Sequence, residues 1–253
     1  MIARAVVLAA GSAQRLRPLT DTRPKCLLPV GERTIISRAV AILAGQGIRA
    51  ITIVDGFEGD QLRAALTAEF PAAWFDFVRN PDFATTNNAW SLSLARRDAP
   101  ESLLLLDGDV LFDAAVIGHL LASEKGNRIA LRTIGPVGEE DVKVTLSSDG
   151  RIADIGKHVE VKRAAGESVG IAILEPTFVR RMFSVLERRL CQEGHVNEWY
   201  EAAFAELIQG GESLYPVDLG TLRTIEVDTK EDLEEARRLF GADPVEMSRL
   251  KRS

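Results

Sequence analysis

The chain has 253 residues, 46% hydrophobic and 27% charged, a composition that supports a sizeable core and excludes a disordered or fibrous chain. Its formal net charge of −6 argues against broad nucleic-acid binding. Two cysteines far apart, Cys26 and Cys191, form no disulfide framework or metal cluster and read as reduced cytoplasmic thiols; no stretch approaches the roughly 18 apolar residues of a membrane span. The apolar run at residues 5–10 leads into a Gly/Arg loop, not a signal-peptide cleavage site. Residues 5–9 read as a buried strand that stops at Gly11. Apolar positions Ile35, Ile36, Ala39, Val40 and Leu43 predict a helix over 34–43, closed by Gly45 and Gly47. A strand follows at 50–54, closed by Asp55-Gly56, then a helix at 60–70, a strand at 74–78 and a helix at 88–97. Four leucines at 103–106 form a central strand running into Asp107-Gly108-Asp109.

This strand–helix alternation with short connections predicts an α/β fold with a doubly wound parallel sheet, and such sheets bind ligands beyond the carboxyl ends of their strands. Gly11 and Asp107 to Asp109 should therefore face one crevice. In the second half, 141–146 and 151–155 flank Ser147-Ser148-Asp149-Gly150 as a hairpin. A strand at 168–174, helices at 178–189 and 199–209, strands at 214–217 and 224–227, and a closing helix at 230–240 complete the chain. The sheet is thus expected to be mixed but mainly parallel, with a small β/α extension on the substrate side covering the crevice.

The strongest chemical signal is the run Leu8-Ala9-Ala10-Gly11-Ser12-Ala13-Gln14-Arg15-Leu16-Arg17-Pro18-Leu19-Thr20, followed by Pro24-Lys25. A strand feeds a turn whose amides can cradle phosphate oxygens; Arg15 offers a bidentate fork and Lys25 a mobile point charge. It is neither a Walker A loop nor a GxGxxG fingerprint. The run resembles the signature of the nucleoside-triphosphate transferases that activate sugar 1-phosphates and related phosphorylated alcohols, which read like GxGxRLxPLT and then PKxLLPV. Here Gly11 to Thr20 and Pro24-Lys25-Cys26-Leu27-Leu28-Pro29-Val30 stand in those places. The chain departs at the second glycine, where Ala13 stands and a positive φ is harder to reach.

The resemblance implies a Rossmann-like nucleotidyltransferase fold over residues 1–240 as a single domain, with a nucleotide-binding half at 1–113, an acceptor-binding half at 114–240 and a polar tail at 241–253. It implies that the loop through Gly11 and Ser12 holds the triphosphate, that Arg15 and Lys25 are catalytic, and that Asp109 ligates Mg²⁺ with Asp107 beside the nucleotide. Position agrees: Asp107 and Asp109 follow the leucine strand, at its carboxyl end, and Mg²⁺ prefers carboxylate and phosphate oxygens; an ordinary Asp-Gly turn is the plainer alternative. Glu226 and Asp228, spaced by two, share one face of a strand and form a second candidate metal pair. The alternative for Asp228 is the N-cap of the closing helix. Family members place a phosphate-binding lysine at Lys157; Lys143 is a weaker candidate for such a role. No histidine is assigned as a base, because the acceptor's phosphate is already an anionic nucleophile.

The nucleotide pocket is expected along backbone Leu8, Ala9 and Ala10, at Gly56, and at Asn87 and Asn88. The segment Asn87-Asn88-Ala89-Trp90-Ser91-Leu92 resembles the phosphocholine cytidylyltransferase branch, which implies CTP. For the acceptor, Glu198, Trp199, Tyr200 and Glu201 on one helix, with Glu167 opposite, could surround a quaternary ammonium. Asn197, Glu167 and Ser168 would serve an inositol or sugar phosphate equally, and a phosphonate acceptor is also open. The expected partners are an NTP and a small phosphorylated acceptor, with neither nucleic acid nor membrane, in a cytoplasmic monomer or homodimer. Two rival classes are a nucleotide-binding regulatory subunit without catalysis and a dinucleotide-dependent oxidoreductase. The intact Arg15, Lys25, Asp109 and Asp228 oppose the first and the missing GxGxxG opposes the second.

Overall fold

The runs of Val, Ile and Leu that mark the strands are buried on both faces, as a sheet covered by helices on each side requires. A computed structural model describes residues 2, 4–97 and 101–242, so the expected polar tail falls outside the described residues from 243 onward. The first half contains β1 (Arg4–Ala9), β2 (Pro29–Val30), β3 (Arg33–Thr34), α1 (Ile35–Gly45), β4 (Ile51–Asp55), α2 (Gly59–Glu69), β5 (Phe75–Arg79), α3 (Asn88–Leu94), β6 (Leu103–Asp107) and β7 (Val110–Phe112). The second contains α4 (Ala115–Ala122), β8 (Arg128–Arg132), β9 (Lys143–Leu146), β10 (Ile152–Gly156), β11 (Gly166–Leu174), α5 (Pro176–Glu187), α6 (Glu201–Gln209), β12 (Tyr215–Asp218), β13 (Thr224–Glu226) and α7 (Lys230–Phe240).

One sheet runs through both halves in the order β10-β9-β11-β6-β1-β4-β5, with β8 on β11 and β12 on β8. β1 is parallel to β4 and β6, and β4 to β5, whereas β11 is antiparallel to β6. The sheet is therefore mixed, with parallel pairing among the strands of the first half, as expected of a mainly parallel sheet. Alternate residues of each strand feed opposite faces. Val7, Ile53, Leu104 and Leu106 pack with α1, α2 and α4; Val6, Leu8, Val54, Leu103 and Leu105 pack with α3, α5 and α6. Each fully buried leucine contributes about 1.5–3 kcal/mol, so the four-leucine strand anchors both layers. No described helix is long and apolar enough to cross a membrane.

A third, smaller core of Leu16, Leu28, Val30, Ile35, Leu111, Val227, Leu233, Ala236 and Phe240 pins the loop after β1 to α7. The structure moves several expected boundaries. The helix expected from 199 starts at Glu201, the one expected to reach 97 ends at Leu94, and β13 stops at Glu226. The elements β7, α4 and β8 were not anticipated: the first is three residues long, and β8 has an arginine at each end of a three-residue apolar centre.

The N-cap of α7 is Thr229, not Asp228: its side chain accepts from the Asp232 amide at 3.1 Å, and Asp232 accepts from the Thr229 amide at 2.7 Å. This reciprocal cap relieves Asp228 of the capping role considered above. Asp232 also accepts from the Asp228 amide at 3.1 Å, so the cap holds the backbone of Asp228. Thr229→Ala is expected to lower stability by about 1 kcal/mol, the usual worth of an N-cap, measured by urea unfolding. An unchanged midpoint would show the cap to be energetically idle.

Candidate active site

Because β1 and β6 are adjacent and parallel, their carboxyl ends deliver Gly11 and Asp107 to the same edge. The turn after β6 is drawn tight: the Gly108 amide donates to the Leu8 carbonyl at 2.8 Å, and a Cβ on Gly108 would lie 2.6 Å from that oxygen. Gly56, after β4, likewise has no room for a Cβ, which would sit 2.6 Å from the Ala10 carbonyl. Leu8, Ala10, Gly56 and Gly108 thus form a close-packed backbone floor. The loop beyond it is open, and the amides of Gly11, Ser12 and Ala13 donate to no backbone carbonyl among the described residues. Ala13 adopts φ 46° and ψ 55°, the left-handed conformation that its side chain was expected to resist. Its carbonyl accepts from the Leu16 amide at 3.1 Å and from the buried Thr20 hydroxyl at 2.8 Å, and these bonds offset a cost of about 1 kcal/mol.

β13 pairs antiparallel with β7, placing Glu226 opposite Val110, and the Val227 amide donates to the Asp109 carbonyl at 3.1 Å. This register brings together carboxylates more than a hundred residues apart. Oxygens of Asp109, Glu226 and Asp228 lie within 4.8 Å of one another. The Lys25 ammonium reaches into the group, 2.7 Å from Asp109 Oδ2 and 2.7 Å from Asp228 Oδ1. Arg15 bonds the other Asp228 oxygen. Burial alone would lower the Lys25 ammonium, but the charges of Asp109 and Asp228 outweigh it and hold it above the usual lysine range. Burial raises Asp228, yet Lys25 and then Arg15 keep it below the usual carboxylate range.

Glu226 makes no ion pair among the described residues, and the Lys25 charge only partly offsets what acts on it. Enclosure at the foot of the cleft, followed by the charges on Asp109 and Asp228, pushes it up to about 8, although its side chain still opens toward solvent. Asp107 is raised well above the ordinary carboxylate value, by burial first and then by Asp109, Glu201 and Glu226. Oδ1 of Asp109 is buried without a hydrogen-bond partner among the described residues. A carboxylate group this rich in charge, with an orphaned oxygen, suits a hard divalent cation.

The cluster opens into a cleft of about 850 Å³ lined by Arg15, Asn88, Asp107, Lys157, Glu167, Trp199, Glu226 and Asp228, among others. Asn88 accepts from the Tyr200 amide at 3.0 Å, while Asn87 caps α3, bonds the Asn197 carbonyl and lies off this lining. Glu167 is tied to Arg132 across paired strands, and both line the cleft. Lys157 stands over the Trp199 ring, 4.6 Å from its centroid.

The grouping of Glu198, Trp199, Tyr200 and Glu201 on one helix is corrected: the first three precede α6 and point different ways. Trp199 is 44% exposed, but Tyr200 is buried and its hydroxyl donates to Asp107 at 3.0 Å. Glu198 binds Arg189 and His195 and lines a neighbouring cavity. Lys143 is wholly buried and donates to the carbonyls of Gly138, Glu139 and Asp141, which makes it a strut of its loop. Arg132 was missed because its strand was missed; a lone arginine beside Thr133 carried no motif.

A CMP-5'-(3-aminopropyl)phosphonate synthase from Streptomyces rubellomurinus is 32% identical over 99% of this chain and 40% of its own length. The chain spans about half or less of the length of such curated relatives. Among solved structures, the CTP:phosphocholine cytidylyltransferase from Streptococcus pneumoniae has the same fold, with a TM-score of 0.74 at 21% identity over 93% of this chain and 98% of that one. The inositol-1-phosphate CTP transferase from T. maritima gives 0.74 at 19% identity, over 94% and 95%. The MobA-like NTP transferase domain matches residues 5–205. With a nucleotidyltransferase fold and homologues that are nucleotidyltransferases, the chain belongs to the MobA-like NTP transferase domain family.

Proposed function

We propose that the chain transfers CMP from CTP to a small acceptor bearing a phosphate or phosphonate, with release of pyrophosphate. The observation that carries this reading is the Lys25 ammonium bridging Asp109 and Asp228 beneath a loop of open amides. Backbone at Leu8 to Ser12, with Gly56, Asn87, Asn88 and Asp107, forms the nucleotide side. The loop amides bind the polyphosphate, and Arg15 and Lys25 offset the charge that builds on the α-phosphate and on the departing pyrophosphate. An acceptor oxygen attacks the α-phosphorus as the bond to the β-phosphate oxygen breaks. That oxygen is anionic at neutral pH, so the step needs positioning more than a base. Asp109, Glu226 and Asp228 would hold Mg²⁺, for which the orphaned Asp109 oxygen and the three-carboxylate donor set are suited. Bound there, the metal supplies charge neutralisation to the phosphates.

CTP is favoured by the Asn87-Asn88 segment and by relatives whose names specify CMP or CTP. Those relatives act on a phosphonate, a phosphocholine or an inositol phosphate, so the acceptor side, with Lys157, Glu167, Glu198, Trp199 and Tyr200 as its candidates, is left to experiment; sugar 1-phosphates stay in the panel. The unbroken sheet supports residues 1–240 as one catalytic unit, and two unpaired cysteines suit a cytoplasmic setting. Pyrophosphate release should be measured for four NTPs against phosphocholine, phosphoethanolamine, inositol 1-phosphate, aminoethylphosphonate and sugar 1-phosphates with Mg²⁺. CTP is expected to exceed the other nucleotides by about tenfold or more with at least one acceptor. No pyrophosphate from any pair would defeat the reading.

A further inference from the structure

Residues 193–200, between α5 and α6, form neither helix nor strand and carry both Trp199 and Tyr200. One side of this segment is anchored by charge. Glu198 accepts from the Arg189 guanidinium at 2.7 and 2.8 Å and bonds His195 Nδ1 at 2.7 Å. The other side lies on the start of α3. The first N–H groups of a helix have no partner within it. Here the Asn87 amide donates to the Val196 carbonyl at 3.0 Å, and the Ala89 amide to the Glu198 carbonyl at 3.4 Å. The Asn87 side chain donates to the Asn197 carbonyl at 3.3 Å.

A fourth bond runs the other way. The Tyr200 amide donates to Oδ1 of Asn88 at 3.0 Å. It fixes the residue just before α6, whose hydroxyl reaches Asp107 at the end of β6. Asn88, Asp107 and Trp199 all line the cleft. The asparagine read in the sequence as a nucleotide contact thus commits its side-chain oxygen to the segment that carries the acceptor-side candidates. Without that oxygen a part-buried backbone N–H loses its acceptor, which is costly enough to shift the segment.

We propose, on the strength of the nucleotidyl transfer inferred above, that Asn88 is a positioning residue joining the two sides of the cleft. A nucleotide that fixes the start of α3 also fixes residues 193–200, and Trp199 with them. Nucleotide binding thereby sets the acceptor wall before any acceptor arrives, and the coupling passes through the four hydrogen bonds between α3 and the segment.

The test is residue-resolved amide hydrogen exchange on the whole chain, free and saturated with Mg²⁺ and a non-hydrolysable CTP analogue. The amides of Asn87, Ala89 and Tyr200 are expected to slow together by about tenfold or more on binding, because they report the opening of one local unit. The control is the Gly150 amide, bonded to the Ser147 carbonyl at 3.0 Å in the hairpin between β9 and β10 and away from the cleft lining. It is expected to stay within about twofold throughout. In Asn88→Ala at saturating analogue, the slowing is expected to vanish from all three amides. Asn88→Asp, which keeps an oxygen in the same place, is expected to restore it. The positioning role is overturned if bound analogue leaves the three amides unchanged, or if the slowing survives in Asn88→Ala or is not restored in Asn88→Asp. It is equally overturned if Gly150 speeds up with the rest in Asn88→Ala, or if that variant no longer binds the analogue at all. Each of these leaves the nucleotide assignment standing. Failure of the wild-type chain to bind the analogue would instead defeat the underlying assignment, and the coupling with it.

Discussion

Lys25→Ala is expected to lower turnover by about 10²- to 10³-fold while the sheet and its cores persist. Lys25 comes from the loop before β2, not from the sheet, and is a member of none of the hydrophobic cores, so these are expected to survive its loss. What it removes is the cation 2.7 Å from each of two carboxylates. Asp109 and Asp228 would then face each other with Arg15 alone as counter-charge, and the chain free of metal should be measurably less stable. Divalent metal should restore more stability to this variant than to the wild type, because the carboxylate site has lost its internal cation. Turnover should not recover with metal, since in the proposed mechanism the charge facing the leaving pyrophosphate is missing. Pyrophosphate release and thermal melting, each with and without Mg²⁺, check both parts. Turnover within a few-fold of wild type would remove Lys25 from the chemistry.

Asp109→Asn is expected to be more severe, by about 10³-fold or more, because it alters the carboxylate that touches Lys25 and also carries the orphaned oxygen. The amide keeps the shape of the turn after β6, so the Gly108 contact with Leu8 should survive and the fold with it. Relieving part of the repulsion on Glu226 should also bring the Glu226 carboxyl down from about 8. With Glu226 as a ligand, as proposed, a cation at this site requires its ionised form. Metal affinity is therefore expected to weaken as pH falls through about 8, and less so in Asp109→Asn. Steady-state rates at saturating Mg²⁺, with metal titrations at pH 7 and pH 9, test these effects. A variant with near-normal rate would place the metal elsewhere.

The first half was legible because its signals are local. Apolar runs ending at Gly11, Asp55-Gly56 and Asp107-Gly108-Asp109 mark both the strands and the edge where they deliver the site. The convergence of Asp109 with Glu226 and Asp228 was hinted by acid spacing, but the agent, antiparallel pairing of β13 with the three-residue β7, is too short to carry a pattern of its own. The competing roles of Asp228 could not be separated in sequence; the cap on Thr229 and Asp232 separates them in the fold. The segment before α6, the candidate acceptor side, was least legible. Consecutive residues before α6 diverge, so Tyr200 turns inward to Asp107 while Trp199 stays at the surface, and a row of aromatic and acidic letters does not become a cage. Lys143 shows the same limit: a lysine between Val142 and Val144 is indistinguishable from a ligand-binding one until its three carbonyl partners are seen.

In the proposed function, cations from the first loop and carboxylates from two distant strands enclose one metal–polyphosphate unit. Calorimetric titration of Mg²⁺ into the chain, held in excess over a non-hydrolysable CTP analogue, addresses it directly. Metal should bind about tenfold or more tightly than to the analogue alone, and Asp109→Asn should abolish that gain. Equal affinity with and without the protein, or a gain that persists in Asp109→Asn, would contradict it.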